Sequence, residues 1–334
     1  MNKEENKNIE KEFDVFGIGS ALMDIIIEVD QNTLLDFDLK LGEMHLIEDE
    51  KATALHSKIE EMKKQHFPGG SVSNTLAGIA NLGGKTAFFG KIGKDPHGEM
   101  YETILDKEGI RFNLVKCDIA KTGHSITFIT PDKERTFATH LGAAINLKKS
   151  EFIDQDLLKS KILHLEGYQL ELPEVKDLVY HAVDIAKQNN IKISIDLSDP
   201  ALITRNLDQF KSFVKDYVDI VFVNELEARA FTGKDSDEEA LVEIAKVCET
   251  ACVKLGEKGS IIKQGDNIYK IQPYSISPIS TVGAGDMYAA GILYGLTHNL
   301  PLESAGKLAS YAAAQVVAQL PARLTDKLTY DPIK

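Results

Sequence analysis

From about residue 161 onward the chain alternates short apolar runs with amphipathic stretches, and no other feature restricts its fold as much. Residues 162–165, 193–197, 220–223 and 251–255 each read as a short strand buried on both faces. Between them the periodicity predicts helices over about 174–189, near 207–216, near 225–231 and over 237–249. A hairpin turn at 256–259 leads into a strand at 261–263, and two helices follow at about 285–298 and 302–319. Strands and helices alternating at this spacing make a parallel sheet covered on both faces. The first half follows the rhythm less strictly. Residues 13–19 and 25–29 are strand-like, and a helix is expected from Asp49 to about Lys64. Pro68-Gly69-Gly70 interrupts the chain, and a helix capped near Ser71 or Ser73 starts at once. A strand at 86–90 and a helix opened by Asp95-Pro96 come next. Residues 25–47 and 111–145 do not fit the alternation; with a hairpin turn at 131–134 they predict an added β layer, most simply a lid. The expected fold class is α/β: three α/β/α layers around a mostly parallel sheet in one domain over 13–334, with a small β-sheet lid and a flexible arm over 1–12.

Charge narrows the partners. The 38 Lys+Arg against 51 Asp+Glu give a net charge of −13, which argues against a nucleic-acid backbone as partner but leaves room for a local basic pocket. No stretch approaches the roughly 18 apolar residues of a membrane span, and residues 1–12 are polar without the apolar core of a signal peptide. A cytoplasmic protein with small-molecule partners, monomeric or homodimeric, is the expectation. Cys117, Cys248 and Cys252 are too few for a disulfide framework; Cys248 and Cys252, four apart, suit one face of a helix.

Two phosphate-binding motifs fail in their own context. Gly84-Lys85-Thr86 looks like the end of a P-loop, but Ile79 stands where the first glycine belongs and the triplet follows a helix. Gly17-x-Gly19 begins a dinucleotide fingerprint that Leu22 ends. Gly283-Ala284-Gly285-Asp286 survives. Its glycines let successive N–H groups point one way at the start of a long helix, whose partial positive charge suits an anion. Asp286 is either a cap there or a base beside that anion. Three other segments keep it company: Asp24 after the first strand, Gly69-Gly70-Ser71-Val72-Ser73-Asn74 at a second glycine-opened helix, and Asn224-Glu225-Leu226-Glu227 directly after a strand. In open α/β sheets, ligands bind beyond the carboxyl ends of strands.

Together these segments resemble the ribokinase-like (PfkB) family of carbohydrate and purine kinases over about residues 13–325. Ser280-Thr281-Val282-Gly283-Ala284-Gly285-Asp286 is similar to the family's Asp-Thr-x-Gly-Ala-Gly-Asp, Gly69-Gly70 with Asn74 to its glycine pair, and Asn224 with Glu227 to its Asn-x-x-Glu. Residues 34–51, 122–144 and 87–95 look most like the adenosine kinase branch. The resemblance implies an ATP-dependent kinase acting on a primary hydroxyl, most simply that of adenosine, giving AMP. It gives Asp286 the part of general base and Gly283, Ala284 and Gly285 that of an anion hole. Asp24, Gly69, Gly70, Asn74 and Ser20 would hold the acceptor, and Arg135 would reach the phosphates from the lid hairpin or stand solvated there. Asn224, Lys254, Gly256, Gly259 and Val282 would border ATP, with Mg²⁺ organised by Asn224 and Glu227 through water. Ser280 replaces the aspartate that helps the family hold an activating K⁺; weak or absent K⁺ dependence is expected, and saturable activation by K⁺ over Na⁺ would overturn it. Two alternatives stay open: a sugar kinase of the same family (fructose, ribose or a keto-sugar acid) and a nucleotide-binding regulator without turnover. An apolar, aromatic base pocket would favour a nucleoside, and additional polar groups near Asp24 and Asn74 a bare sugar.

Overall fold

A computed structural model describes residues 10–132 and 134–330. The arm expected over 1–12 falls outside it for residues 1–9.

The chain begins with β1 (Phe13–Ile18) and β2 (Leu22–Glu28), followed by α1 (Gln31–Asp36), β3 (Met44–Leu46) and α2 (Asp49–Lys58). The sequence had α2 running to Lys64; it stops at Lys58 because the Lys64 ammonium caps the carbonyls of Ile59 (2.7 Å) and Glu60 (2.6 Å). That frees β4 (Gln65–Gly69) to pair antiparallel with β2. Next come α3 (Ser71–Asn81), β5 (Thr86–Gly93), α4 (Pro96–Lys107), β6 (Arg111–Cys117), β7 (Thr122–Ile129) and β8 (Arg135–Gly142). Then follow α5 (Gln155–Leu158), β9 (Ser160–Glu166), α6 (Pro173–Gln188), β10 (Lys192–Asp196), α7 (Pro200–Arg205), α8 (Leu207–Tyr217), β11 (Ile220–Asn224), α9 (Glu225–Thr232) and α10 (Asp237–Ile244). The described chain is completed by β12 (Thr250–Lys254), β13 (Ser260–Gln264), β14 (Asn267–Ile271), α11 (Ala284–Thr297), α12 (Leu302–Val317) and an irregular segment to 330.

Among the described residues, nine strands form one sheet in the order β14-β13-β12-β11-β10-β9-β1-β5-β6. All its neighbours pair in parallel except β12–β13 and β13–β14. Apolar side chains bury both faces, under α6, α8 and α10 on one side and α3, α11 and α12 on the other. The chain leaves β1 for β5 and β6 on one side, then returns to β9 and β10 on the other, so the strand order switches at β1–β9.

Five strands, β3-β8-β7-β2-β4, make the lid sheet. Its composition differs from the sequence expectation: residues 111–117 pair with β5 in the large sheet, and residues 65–69 join the lid instead. One lid face packs Ile25, Ile27, Ile126 and Phe128 against Phe37 and Leu55, giving the lid its own small core. Each such side chain is worth roughly 1.5–3 kcal/mol when fully buried, so this cluster is a substantial source of the layer's cohesion. The cysteine expectation also fails: Cys248 lies beyond the end of α10 while Cys252 is buried in β12, so no helix face carries both.

Candidate active site

Four neighbouring parallel strands each end in a polar residue: Glu166 on β9, Asp196 on β10, Asn224 on β11 and Lys254 on β12. Parallel pairing holds these ends level, with Asp196 in register with both Glu166 and Phe222 and Asn224 with Lys254. The Lys254 ammonium lies 2.5 Å from Asp196 Oδ2. Burial opposes its charge, but the carboxylates of Asp196 and Glu227 outweigh that and hold its pKa above the usual lysine range.

The first turn of α11 faces these strand ends. Gly283 precedes it at φ 79°, and a Cβ there would stand 2.2 Å from the Ala322 carbonyl oxygen, so only glycine fits. A Cβ on Gly285 would come 3.1 Å from Lys254 Nζ, which places that ammonium over the helix start. An amino-terminal turn with a buried cation above it is suited to phosphate oxygens.

Asp286 is not a cap; Gly283 holds the cap position and no side chain caps α11. Its Oδ1 accepts from Ser71 Oγ (2.7 Å) and its Oδ2 from Asn74 Nδ2 (2.9 Å), both in the first turn of α3. Burial raises its pKa above the ordinary aspartate value, and the bonds from Ser71 and Asn74 oppose that rise. A carboxylate so held can take a proton from a hydroxyl beside the α11 anion site. The α3 start approaches closely because Gly70 has φ 89° and a Cβ there would lie 2.0 Å from the Ser20 carbonyl oxygen. The amides of Ser20 and Val72 both point to Glu166 (3.3 Å each), whose carboxyl burial pushes up to about 7.

Two cavities meet at the 280–286 loop. The larger, about 470 Å³, is lined by Ser71, Asp196, Asn224, Glu227, Lys254 and Asp286, with Gly256 at its edge. Asn224 and Glu227 form a reciprocal cap: Glu227 Oε2 accepts from the Asn224 N–H (2.8 Å) and Oε1 from its amide (2.6 Å). Burial raises the Glu227 carboxyl. With both oxygens so engaged, the donor set fits Mg²⁺ only through a water shell, and no cluster of three or more His, Cys, Asp or Glu suited to a metal ion occurs among the described residues.

The narrower pocket lies between the lid's inner face and the segment after α12. Ile26, Phe67, Ile129, Leu320 and Pro321 give it an apolar wall; Asp24, Thr127, Arg135 and Ser280 are its polar members. Asp24 is a β2 residue that lines this pocket. A Cβ on Gly69 would stand 2.6 Å from its Oδ1. Burial pushes Asp24 up to about 7, with Arg323 pulling it down and Asp286 adding to the rise. Arg135 is half-buried and engaged. Its guanidinium donates to Ser280 Oγ and to the Ile279 carbonyl (2.8 Å), tying the lid to the loop before the anion site.

The structure therefore brings Asp24 and Arg135 to the narrow pocket and Asn224, Glu227, Lys254 and Asp286 to the larger cavity, with Gly69 against Asp24, Gly70 against the Ser20 carbonyl and Asn74 on Asp286. Val282 faces the narrow pocket, while Gly259 closes the β12–β13 turn, its carbonyl accepting from Leu255. Asn74 departs from its expected part: its amide is committed to Asp286 and Arg323. Sequence reasoning missed Glu166, Asp196 and Arg323.

Comparison with known proteins gives the family. The model of the pfkB family carbohydrate kinases matches residues 36–327. The chain belongs to that family, and its fold is the family's α/β fold. It is 28% identical to the 5-dehydro-2-deoxygluconokinase of Bacillus licheniformis, over 93% of this chain and 92% of that protein. Among solved structures it is similar to the adenosine kinase from Sinorhizobium meliloti (34% identity, TM-score 0.87, 94% of this chain and 97% of that one). It is equally similar to a probable sugar kinase from Rhizobium etli CFN 42 (34%, 0.88, 95% and 96%). No helix among the described residues is long and apolar enough to cross a membrane.

Proposed function

We propose that this kinase transfers the γ-phosphoryl group of ATP to the primary hydroxyl of a nucleoside, adenosine first among them. The observation that carries the reading is the pocket wall beside Asp24: Ile26, Phe67, Ile129, Leu320 and Pro321 offer an apolar surface with one aromatic ring for a flat base to lie against once the lid lifts, the closed pocket holding only about 20 Å³. Asp24 binds sugar hydroxyls at one end of that pocket. Asp286 takes the proton of the attacking hydroxyl, and the amides of Ala284, Gly285 and Asp286 with Lys254 stabilise the charge that develops on the transferring oxygens. Mg²⁺, when bound, neutralises the phosphates and is held by Asn224 and Glu227 through water. Arg135 draws the lid down and excludes water that would otherwise hydrolyse ATP.

A keto-sugar acid is the second reading. It is favoured by the one guanidinium in the pocket, a partner for a carboxylate, and by the 5-dehydro-2-deoxygluconokinase relatives. The experiment is a coupled ADP-release assay with MgATP against adenosine, inosine, guanosine, ribose, fructose and 5-dehydro-2-deoxygluconate. Adenosine-dependent turnover with the highest kcat/KM supports the first reading. Turnover on a free sugar or the sugar acid alone overturns it in favour of the second.

A further inference from the structure

We propose that Arg323 is a positioning residue for phosphoryl transfer: its guanidinium fixes the orientation of the Asn74 amide that holds Asp286. The proposal rests on the reading of Asp286 as the base. Arg323 lies in the irregular segment after α12 and is 7% exposed, which a guanidinium tolerates only when its donors are used. They are: Nε donates to Asn74 Oδ1 (2.9 Å), Nη1 to Glu108 Oε2 (2.6 Å), and Nη2 to Ser73 Oγ (2.7 Å) and the Gly69 carbonyl (3.3 Å). Glu108 alone supplies the countercharge, and the remaining donors all go to β4 and the first turn of α3.

The chemistry of the donors decides the consequence. Arginine has no acceptor, so the Asn74 atom facing Arg323 must be its oxygen. An ionised carboxylate has no donor, so the Asn74 atom facing Asp286 must be its NH₂. One amide orientation satisfies both ends, and Arg323 and the Asp286 carboxylate together forbid the other. Without Arg323 the amide oxygen loses its partner and only Asp286 opposes a turn, so the amide is held at one end and the Oδ2 contact loosens. The same cation acts on Asp24, whose surroundings also include Asp286 and, around the shared pocket, Arg135; Glu166, Glu108, Tyr101, and the Asp196–Lys254 pair beside Asp286 are further titratable groups packed about these elements. Arg323 is thus the positive charge that opposes protonation of Asp24.

The test compares Arg323→Gln, Arg323→Lys and Glu108→Gln in the full chain, following kcat and KM for acceptor and ATP against pH, with thermal melts to measure the folded fraction. Arg323→Gln is expected to lower kcat at least tenfold per folded enzyme, to leave the KM for ATP within twofold, and to move the acid limb of acceptor kcat/KM to higher pH. Arg323→Lys keeps the charge and is expected to restore the limb without restoring kcat. Glu108→Gln leaves the Asn74 contact intact and is expected to stay within threefold of wild type. A folded Arg323→Gln with kcat within twofold of wild type overturns the proposal. So does Arg323→Lys with the same limb and kcat as Arg323→Gln, because that pattern describes an anchor of the chain segment and nothing more. Wild-type turnover that survives Asp286→Asn would instead overturn the reading of the base itself.

Discussion

The larger cavity and the narrow pocket meet at one loop but are built from different material. The larger is made by the ends of adjacent strands whose ladders fix them relative to one another, and by two helix starts facing them. The narrow pocket is walled by the lid, which has a core of its own, and by residues 320–322 of the segment after α12. On the proposed function, the reaction's charges sit on strand ends and helix starts of the large sheet, while the surface facing the acceptor belongs to the lid and the segment after α12. That division explains how one backbone is equally similar to an adenosine kinase and to a probable sugar kinase, at 34% identity each: likeness of fold carries the chemistry and leaves the acceptor open.

If the division is right, damage to the framework costs turnover and damage to the lid costs acceptor affinity. The largest effect is expected from Asp286→Asn, a fall in kcat of roughly 10²–10⁴-fold with ATP still bound, as measured by ADP release and calorimetry; a loss smaller than tenfold would break the comparison. Lys254→Met comes next. It leaves the Asp196 carboxylate buried without its cation, and breaking such a pair costs about 3–5 kcal/mol, to be read from urea unfolding along with weakened ATP binding. An unchanged unfolding midpoint would place that ion pair outside the framework. Arg135→Ala should raise the acceptor KM about tenfold, equivalent to roughly 1.4 kcal/mol, while melting temperature barely moves; a larger change in kcat than in KM would assign this lid residue to the chemistry.

The smallest effect is one of pH. Burial holds Glu166 at about 7 against an ordinary 4.5. Between those values the folded chain keeps a proton that the unfolded chain has lost, so this stability is complete below about 4.5 and is lost as pH rises through about 7. Melting temperature should therefore decline over that window, and Glu166→Gln should flatten the decline. A slope identical in wild type and variant would remove Glu166 as its source.

What could be read from sequence follows the same division. Asn224, Glu227 and Asp286 sit in short motifs whose spacing is set by a strand end and a helix start, so their neighbourhood in the chain announces their place in space. Glu166 and Asp196 obey that rule too, but the apolar runs were taken to stop at Leu165 and to continue to Leu197, and a shift of one residue hides a strand-terminal carboxylate. Asn74 was recognised by its distance from Gly70, yet its partners were not. Arg323 offered no signal, because the groups it contacts lie 215 to 254 positions away. The lid was legible as a disturbance of the α/β rhythm but not in its membership: residues 65–69 carry a proline and a glycine that read as a break, and only pairing with β2 makes them a strand.

The segment after α12 also sets an order in time. A ribosome delivers Asp24 and Asn74 early, Asp286 some 200 residues later, and Arg323 and Ala322 later still, with the contacts that join them spanning 212 to 254 positions. Contacts that close such long loops form after local structure is in place. A half-made chain therefore exposes the strand ends and the first glycine pair before it owns a base, and owns the base before the guanidinium that orients its amide partner. The full set of contacts around Asp286 is therefore assembled only once the segment after α12 has emerged.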